Sequence, residues 1–240
     1  MLRVWRNNCI FALYVQRKCV VKRHTYQNRI MRYPILMADI VDSRKADQTL
    51  LINEFKNVVH FINDKWKVSI VSPLTITLGD EFQGIIQDME SCYKVVFDME
   101  EFILENSLNL KLRYVMNYGR IETPINRNLA YEMLGDGLTQ AREHLNKLKS
   151  SSNRFVVLSD KKGKTATVIN DLFFLYGSYV DSWKTNEFKM VSAFLKDEDY
   201  KIVAENLSMN KSSTWRRYKS LQIEEYNITK NLILTLNKIL

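Results

Sequence analysis

Two acidic positions have the residue type and the placement that could bind a metal ion. Asp39 follows an apolar run, and Asp80 lies in a Gly-Asp-Glu turn between two segments of alternating polarity. If the strand before Asp39 pairs beside that hairpin, both carboxylates reach one sheet edge, where they suit Mg²⁺ or Mn²⁺ carrying a nucleoside triphosphate. We therefore predict that Asp39 and Asp80 are metal ligands, although a single Asp is also common at strand ends and turns.

The residues around these acids could contact the nucleotide itself. The backbone amides of Asp42, Ser43 and Arg44 lead into a predicted helix, where they could hold phosphate oxygens. Asp42 and Glu81 are either additional ligands or ordinary acids of a first helical turn and a hairpin turn. The predicted nucleotide-binding residues at this edge are Ile40, Asp42, Ser43, Arg44, Gly79 and Glu81.

The hydrophobic pattern predicts the elements that position these groups. Strands are expected at 34–41, 74–78, 82–86, 110–122 and 154–158, and helices at 47–67, 92–103, 136–149 and 168–183. This order predicts an α+β fold with a sheet of mixed direction, covered by helices mostly on one face. The last sixty residues lose the strand pattern and are expected to be helical. We therefore divide the chain into domains at 31–178 and 181–240.

Residues 200–221 have the spacing of a helix-turn-helix, although the usual turn glycine is absent. No acidic residue lies between 206 and 223, so the second helix is basic and suits contacts with DNA. The predicted DNA-binding residues are Lys211, Ser213, Thr214, Arg216, Arg217 and Lys219. The alternative is a helical hairpin that serves packing or dimerisation.

The net charge of +8 is concentrated in residues 1–30, which hold seven Lys and Arg and no acid. The remaining 28 basic and 27 acidic residues nearly balance, so general attraction to a polyanion is not expected of the body of the protein. Residues 1–30 are either a disordered basic leader or an upstream extension, with Met31 as the start. The three cysteines have no metal-site spacing, and no apolar run is long enough for a membrane span. These features favour a cytoplasmic protein.

The two acidic motifs resemble those of class III nucleotidyl cyclase domains. Residues 38–41 (ADIV) and 78–82 (LGDEF) are similar to the two metal-carboxylate motifs, and 113–121 resembles the strand and glycine turn that follow. Residues 135–142 lie where that family has its Asn-and-Arg helix. Over about 32–235 the chain looks most similar to the SatD family. The resemblance implies a cyclase-like (ferredoxin-like or palm) mixed sheet followed by a small all-α helix-turn-helix domain.

The chain departs from the cyclase pattern at its catalytic positions. Ile76 stands where cyclases have a purine-binding Lys, and Thr139 aligns with the transition-state Asn, which makes Thr139 a further predicted nucleotide-binding residue. The transition-state Arg aligns with Glu143, while Arg142 lies one residue away, about 100° round the helix. Arg142 is the catalytic candidate on this helix. The resemblance implies metal binding with altered catalytic residues.

Two functions follow from these observations. The first is a cytoplasmic transcription regulator that binds a metal-bound nucleotide through its cyclase-like domain and DNA through its C-terminal helices. The alternative is a divergent Mg²⁺- or Mn²⁺-dependent nucleotidyl cyclase or nucleotidyltransferase, in which Arg142 or Arg113 stabilises the transferring phosphate. Because class III active sites are usually built between two subunits, that activity would imply a homodimer.

Overall fold

The computed structural model describes residues 31–43, 48–159 and 164–239. Within them the order is β1 Met31–Ile40, α1 Gln48–Lys65, β2 Ile70–Ile76, β3 Glu81–Ile86, α2 Met89–Glu105, β4 Leu112–Ile121, α3 Asp136–Leu148, β5 Phe155–Ser159, α4 Lys164–Ser182, a 3₁₀-helix Thr185–Glu187, α5 Phe188–Lys196, α6 Tyr200–Asn206, α7 Lys211–Ser220 and α8 Ile223–Ile239. The predicted α+β order is confirmed. The leader at 1–30 and Arg44 lie outside the described residues, so the expectations for them stay predictions.

The five strands form one mixed sheet in the order β2-β3-β1-β4-β5. β1 lies at the centre and runs antiparallel to both β3 and β4, whereas β4 and β5 run parallel. The register places Asp39 opposite Glu81 on one side and opposite Arg113 on the other. The end of β1 therefore brings side chains from three neighbouring strands together.

Hydrophobic layers cover both faces of the sheet. Successive side chains of a strand point to opposite faces, and Leu36 and Ala38 pack in the larger core with α1, α2 and α4. Ile35 and Met37 pack in a second core with residues of α3. The expectation that helices lie mostly on one face therefore holds for the larger core, and α3 covers the other face. Burial on both faces explains why β1 is continuously apolar.

The C-terminal helices share the larger core with the sheet. The Tyr176 ring on α4 packs against Tyr226 on α8 at 5.3 Å, and the indole N–H of Trp183 donates to the Leu221 carbonyl at 2.8 Å. Residues 31–240 form one compact unit. The predicted boundary at 178–181 falls inside α4, and independent folding of its two sides stays a prediction. Among the described helices, none combines the length and the apolar character that crossing a membrane requires.

Candidate functional site

The β2–β3 hairpin holds Asp80 against the end of β1. Gly79 has a φ of +85°, a left-handed conformation that glycine adopts without steric cost. The Ile40 N–H donates to the Asp80 carbonyl at 2.9 Å, and the Ser43 hydroxyl donates to the Asp80 carboxylate at 2.9 Å. Ile40, Ser43, Gly79 and Asp80 line a cleft of about 230 Å³ beside the start of α1. The structure thus brings together four of the predicted site residues.

Asp39 has different neighbours. Its carboxylate accepts a hydrogen bond from Arg113 Nη1 at 3.3 Å and lies 3.4 Å from Lys149 Nζ, and the residue is only 2% exposed. Because Asp39 pairs with Glu81, strand alternation directs both side chains to the α3 face, whereas Ile40 packs in the core of the α1 face. Asp39 therefore meets cations from β4 and from the end of α3.

Glu81 completes a group of charges on the α3 face. Its carboxylate accepts a hydrogen bond from Arg142 of α3 and lies 3.4 Å from Lys149 Nζ. We call Asp39, Glu81, Arg113, Arg142 and Lys149 the sheet-end cluster. Two acids and three cations give it a formal charge of +1, and each of its acids is paired with protein cations.

Burial is the main influence on the protonation of Asp39. Removal from water raises the pKa of its carboxyl, and the nearby charges of Arg113 and Lys149 lower that pKa by less, so the net shift is upward. The two cations thus compensate only part of the cost of burying the carboxylate. Ionised Asp39 depends on these partners.

A close approach between β4 and α3 positions Arg142. A Cβ on Gly137 would come within 2.7 Å of the Gly119 backbone, and the Asn117 amide donates to the Gly137 carbonyl at 2.7 Å. These contacts fix the start of α3 on the sheet, and Arg142 lies farther along the helix at Glu81. Thr139 lies on the exposed side of α3, and its hydroxyl is 3.4 Å from the Gly135 carbonyl.

Most of the predicted site residues fall into two groups, whereas Thr139 and Asp42 are exposed and belong to neither. Asp80, Ser43, Ile40 and Gly79 border the cleft, while Asp39 joins the sheet-end cluster with Glu81 and Arg142. Over the described ranges, no group of three or more His, Cys, Asp or Glu residues is arranged to hold a metal ion. The assignment of Asp39 and Asp80 as metal ligands stays a prediction. Their present hydrogen bonds and ion pairs do not place the two carboxylates around one ion.

Lys149 is the site residue that the sequence reasoning missed. It follows Arg142 by seven residues, a spacing that puts two side chains on the same face of a helix. This seven-residue spacing was the signal that could have identified Lys149. It points to the site only when Glu81 is known to face α3.

The connection between α6 and α7 forms a tight turn without glycine. Ser208 adopts a φ of +53°, the left-handed conformation that the missing glycine would provide, and the Met209 N–H donates to the Ala204 carbonyl at 2.8 Å. The Asn210 side chain caps α7 by accepting from the N–H groups of Ser212 and Ser213. The spacing expected of a helix-turn-helix is therefore accompanied by a turn and a capped second helix.

The six predicted DNA-binding residues differ in their surroundings. Thr214 is fully buried and its hydroxyl donates to the Asn210 carbonyl, so in this conformation it is not available to DNA. Three of the cations form ion pairs: Lys211 with Glu205, Arg217 with Glu187 and Lys219 with Glu224. Ser213 is exposed, and Arg216 is exposed and makes no ion pair with any described residue. The DNA-binding role of these residues stays a prediction.

Comparison with known proteins gives one family and a weak structural likeness. The model of the SatD family matches residues 33–236. No curated protein is significantly similar to the chain in sequence. A solved structure of a bacterial light-regulated adenylyl cyclase is similar with a TM-score of 0.40 and 11% identity, over 62% of this chain and 54% of that one.

Proposed function

This chain belongs to the SatD family, and we propose that it is a cytoplasmic regulatory protein that binds DNA through α7 and a metal-bound nucleotide at the end of the sheet. DNA binding has the stronger support. It rests on one observation: α7 presents a basic, exposed side while its opposite side is anchored in the protein. Nucleotide binding rests on the cleft beside Asp80.

The anchoring of α7 is the first part of the DNA argument. Thr214 on α7 and Val203 and Ala204 on α6 are buried, so the two helices hold each other in a fixed orientation. The opposite side of α7 exposes Ser213 and Arg216, whereas the Trp215 ring, which is 42% exposed, packs against Tyr200 of α6. A helix fixed on one side and polar on the other can enter a major groove without disturbing the core.

The ion pairs on α7 are compatible with phosphate binding. Lys211 and Lys219 pair with acids at positions where both partners are about half exposed. Exposed pairs of this kind contribute about 0–1 kcal/mol, so a DNA phosphate can replace the acid at little cost. Arg216 has no ion pair with a described residue to give up and is expected to contribute most per residue.

A duplex-binding measurement tests the DNA half. Fluorescence anisotropy with a labelled random-sequence duplex should show binding that weakens as salt increases. Arg216→Ala should lower affinity several-fold and make the salt slope shallower by about 1. Lys56→Ala on α1 is the matched control, because it removes one exposed cation elsewhere on the protein. Equal affinities for the parent and Arg216→Ala would contradict the proposal.

The cleft beside Asp80 supports nucleotide binding. The Asp80 carboxylate lies at its wall with one oxygen hydrogen-bonded to Ser43, and a carboxylate with a neighbouring hydroxyl is a hard oxygen donor set that suits Mg²⁺ or Mn²⁺. A metal held there would neutralise the phosphates of a bound nucleotide. Asp39 could become a second ligand of this metal only if its carboxylate gave up its ion pair with Lys149 or Arg113.

Thermal unfolding with Mn²⁺ and each of the four nucleoside triphosphates tests this second half. The parent should be stabilised by the combination more than by Mn²⁺ or nucleotide alone, and Asp80→Asn should abolish that difference. Asp171→Asn, at an exposed position on α4, is the control and should respond like the parent. Identical responses from the parent and Asp80→Asn would contradict a site at this cleft.

A nucleotidyl cyclase or nucleotidyltransferase activity is the alternative function. The ion pairs of the candidate catalytic residues disfavour it. Arg142, the catalytic candidate, is engaged by Glu81, and Asp39 is engaged by Arg113 and Lys149. Mass spectrometry after incubation with Mn²⁺ and each triphosphate, with and without DNA, should find no cyclic or transferred product. A product that disappears in Asp80→Asn would establish the enzyme instead, and the implied homodimer could then be checked by sedimentation.

A further inference from the structure

A second cavity, of about 430 Å³, lies where the end of β1 and the start of β4 meet the C-terminal part of α4. Its volume is within the range typical of small-molecule sites. Much of the wall is apolar, with Leu104 and Leu108 from the α2 end, Leu51 from α1, and the rings of Trp183 and Phe188 on the other side. It shares only Leu51 with the cleft beside Asp80.

The wall of this cavity carries four charged side chains, Asp42, Lys111, Arg154 and Asp181, and both of its cations are ion-paired. Lys111 Nζ lies 2.9 Å from an Asp181 oxygen, and the Arg154 guanidinium donates to the same carboxylate at 2.9 Å. Arg154 also pairs with Glu100 at 2.9 Å. Neither cation lining the cavity is therefore unpaired, and a phosphate or carboxylate ligand would have to break an existing pair to find a counter-ion.

Two polar side chains at the wall retain hydrogen-bonding capacity. The Asn109 amide and the Thr185 hydroxyl line the cavity and form no hydrogen bond with other described residues. An amide and a hydroxyl each donate and accept, so together they can orient a ligand that carries one or two polar atoms. Aromatic rings such as those of Trp183 and Phe188 favour flat partners that stack or meet them edge to face.

We propose that this cavity binds an uncharged, planar heteroaromatic molecule of about the size of a nucleobase or an indole. The apolar and aromatic wall buries the ring, Asn109 and Thr185 orient it, and the paired charges disfavour anions. The cavity wall includes no residue of α7, and although it includes Asp42 and Leu51 near the metal-nucleotide cleft, the binding of indole requires neither a metal nor a phosphate. Its test therefore does not depend on either.

Indole is the probe for this proposal, and indole-3-acetate is its anionic counterpart. Calorimetric titration of the full chain should show saturable indole binding, with weaker binding of indole-3-acetate. Leu108→Trp should fill the cavity and abolish binding, whereas Val68→Trp, at a position 94% exposed and outside the cavity lining, should bind like the parent. Absence of saturable indole binding by the parent would overturn the proposal, as would tighter binding of the acid.

Conservative variants keep the test valid if Leu108→Trp fails to fold. Thr185→Val and Asn109→Leu preserve side-chain size and remove one hydrogen-bonding group each. Because indole carries a single N–H donor, the variant that removes its acceptor should weaken indole binding by roughly fivefold, and the other variant should bind nearly like the parent. Their melting temperatures should stay near that of the parent, because neither group bonds to a described residue. Unchanged indole affinity in both variants would contradict the assigned orientation and the site.

Discussion

Two regions of the protein carry dense ion pairs, and they differ in burial. Around Arg154, at the start of β5, Glu100 and Arg154 are 4% and 6% exposed, and the Tyr114 hydroxyl donates to Glu100 at 2.7 Å. On α7, Lys211 and Lys219 pair with acids, and all four side chains are about half exposed. The first set is enclosed by α2, β4 and α4, whereas the second set faces water.

The pKa values of the buried groups are shifted by their burial and by their neighbours. Burial lowers the pKa of the Arg154 guanidinium, but Glu100 and Asp181 raise it by more, so the net shift is upward. Burial also raises the pKa of Tyr114, with Glu100 adding to the effect. These groups hold fixed charge states and tie the sheet to α2 and α4. The α7 pairs can exchange partners, which is what a binding surface requires and what a structural network must avoid.

Breaking the buried network should have the largest effect. Glu100→Gln keeps the shape of the side chain but removes the charge that compensates Arg154, which should lower the free energy of unfolding by about 3 kcal/mol. Chemical denaturation at neutral pH measures this value.

The control for that variant is Glu105→Gln on the same helix. Glu105 pairs with Lys196, and both side chains are about half exposed, so its loss should cost at most about 1 kcal/mol. Similar losses for Glu100→Gln and Glu105→Gln would show that burial does not separate the two classes of ion pair.

The sequence predicted most of the framework because its patterns are local. The continuous apolar run of β1, the Gly-Asp turn and the amphipathic helices each follow from spacing within one element, and their bounds agree with the structure to within a few residues. The α6–α7 turn was also predicted, although its glycine is absent. Ser208 takes the left-handed conformation there, and the type of a single residue does not reveal that exception.

The partners of the charged residues could not be predicted in the same way. The convergence of Asp39 and Asp80 on one metal ion stays a prediction, and the contacts present, of Asp39 with Arg113 and Lys149 and of Asp80 with Ser43, were not foreseen. Which face a carboxylate takes depends on the register between strands, since a shift of one residue reverses it. The Glu100–Arg154–Asp181 network joins α2, the residue just before β5 and α4, and no spacing in the sequence connects them.

The exposed pairs on α7 should show a smaller and more selective effect. Arg217→Ala removes the pair with Glu187 and should lower the free energy of unfolding by less than about 1 kcal/mol. Arg216→Ala should leave stability unchanged, because no described residue pairs with it, while it weakens DNA binding. Thermal unfolding of both variants beside the anisotropy measurement separates the two roles. A large stability loss in Arg216→Ala would place that side chain in the structure and not on the binding surface.

The smallest expected effect is a pH dependence at Glu187. The Lys184 N–H donates to its carboxylate at 3.0 Å, and Arg217 also bonds to it, so the pKa of Glu187 lies below its usual value. A carboxyl with a lowered folded-state pKa adds stability that is fully present above its unfolded pKa and is lost as pH falls through the folded pKa. Glu187→Gln should therefore be slightly less stable than the parent at pH 7, and the difference should shrink as the pH is lowered toward 3. Added salt should reduce only the part of this stability difference that comes from Arg217, since the backbone hydrogen bond does not depend on that charge.

Denaturation curves of both proteins at the two pH values, each at low and high salt, measure the contributions of Arg217 and of the backbone hydrogen bond. A difference that persists unchanged at pH 3 would mean that Glu187 acts through packing, and that the pairs on α7 are less exchangeable than their exposure indicates.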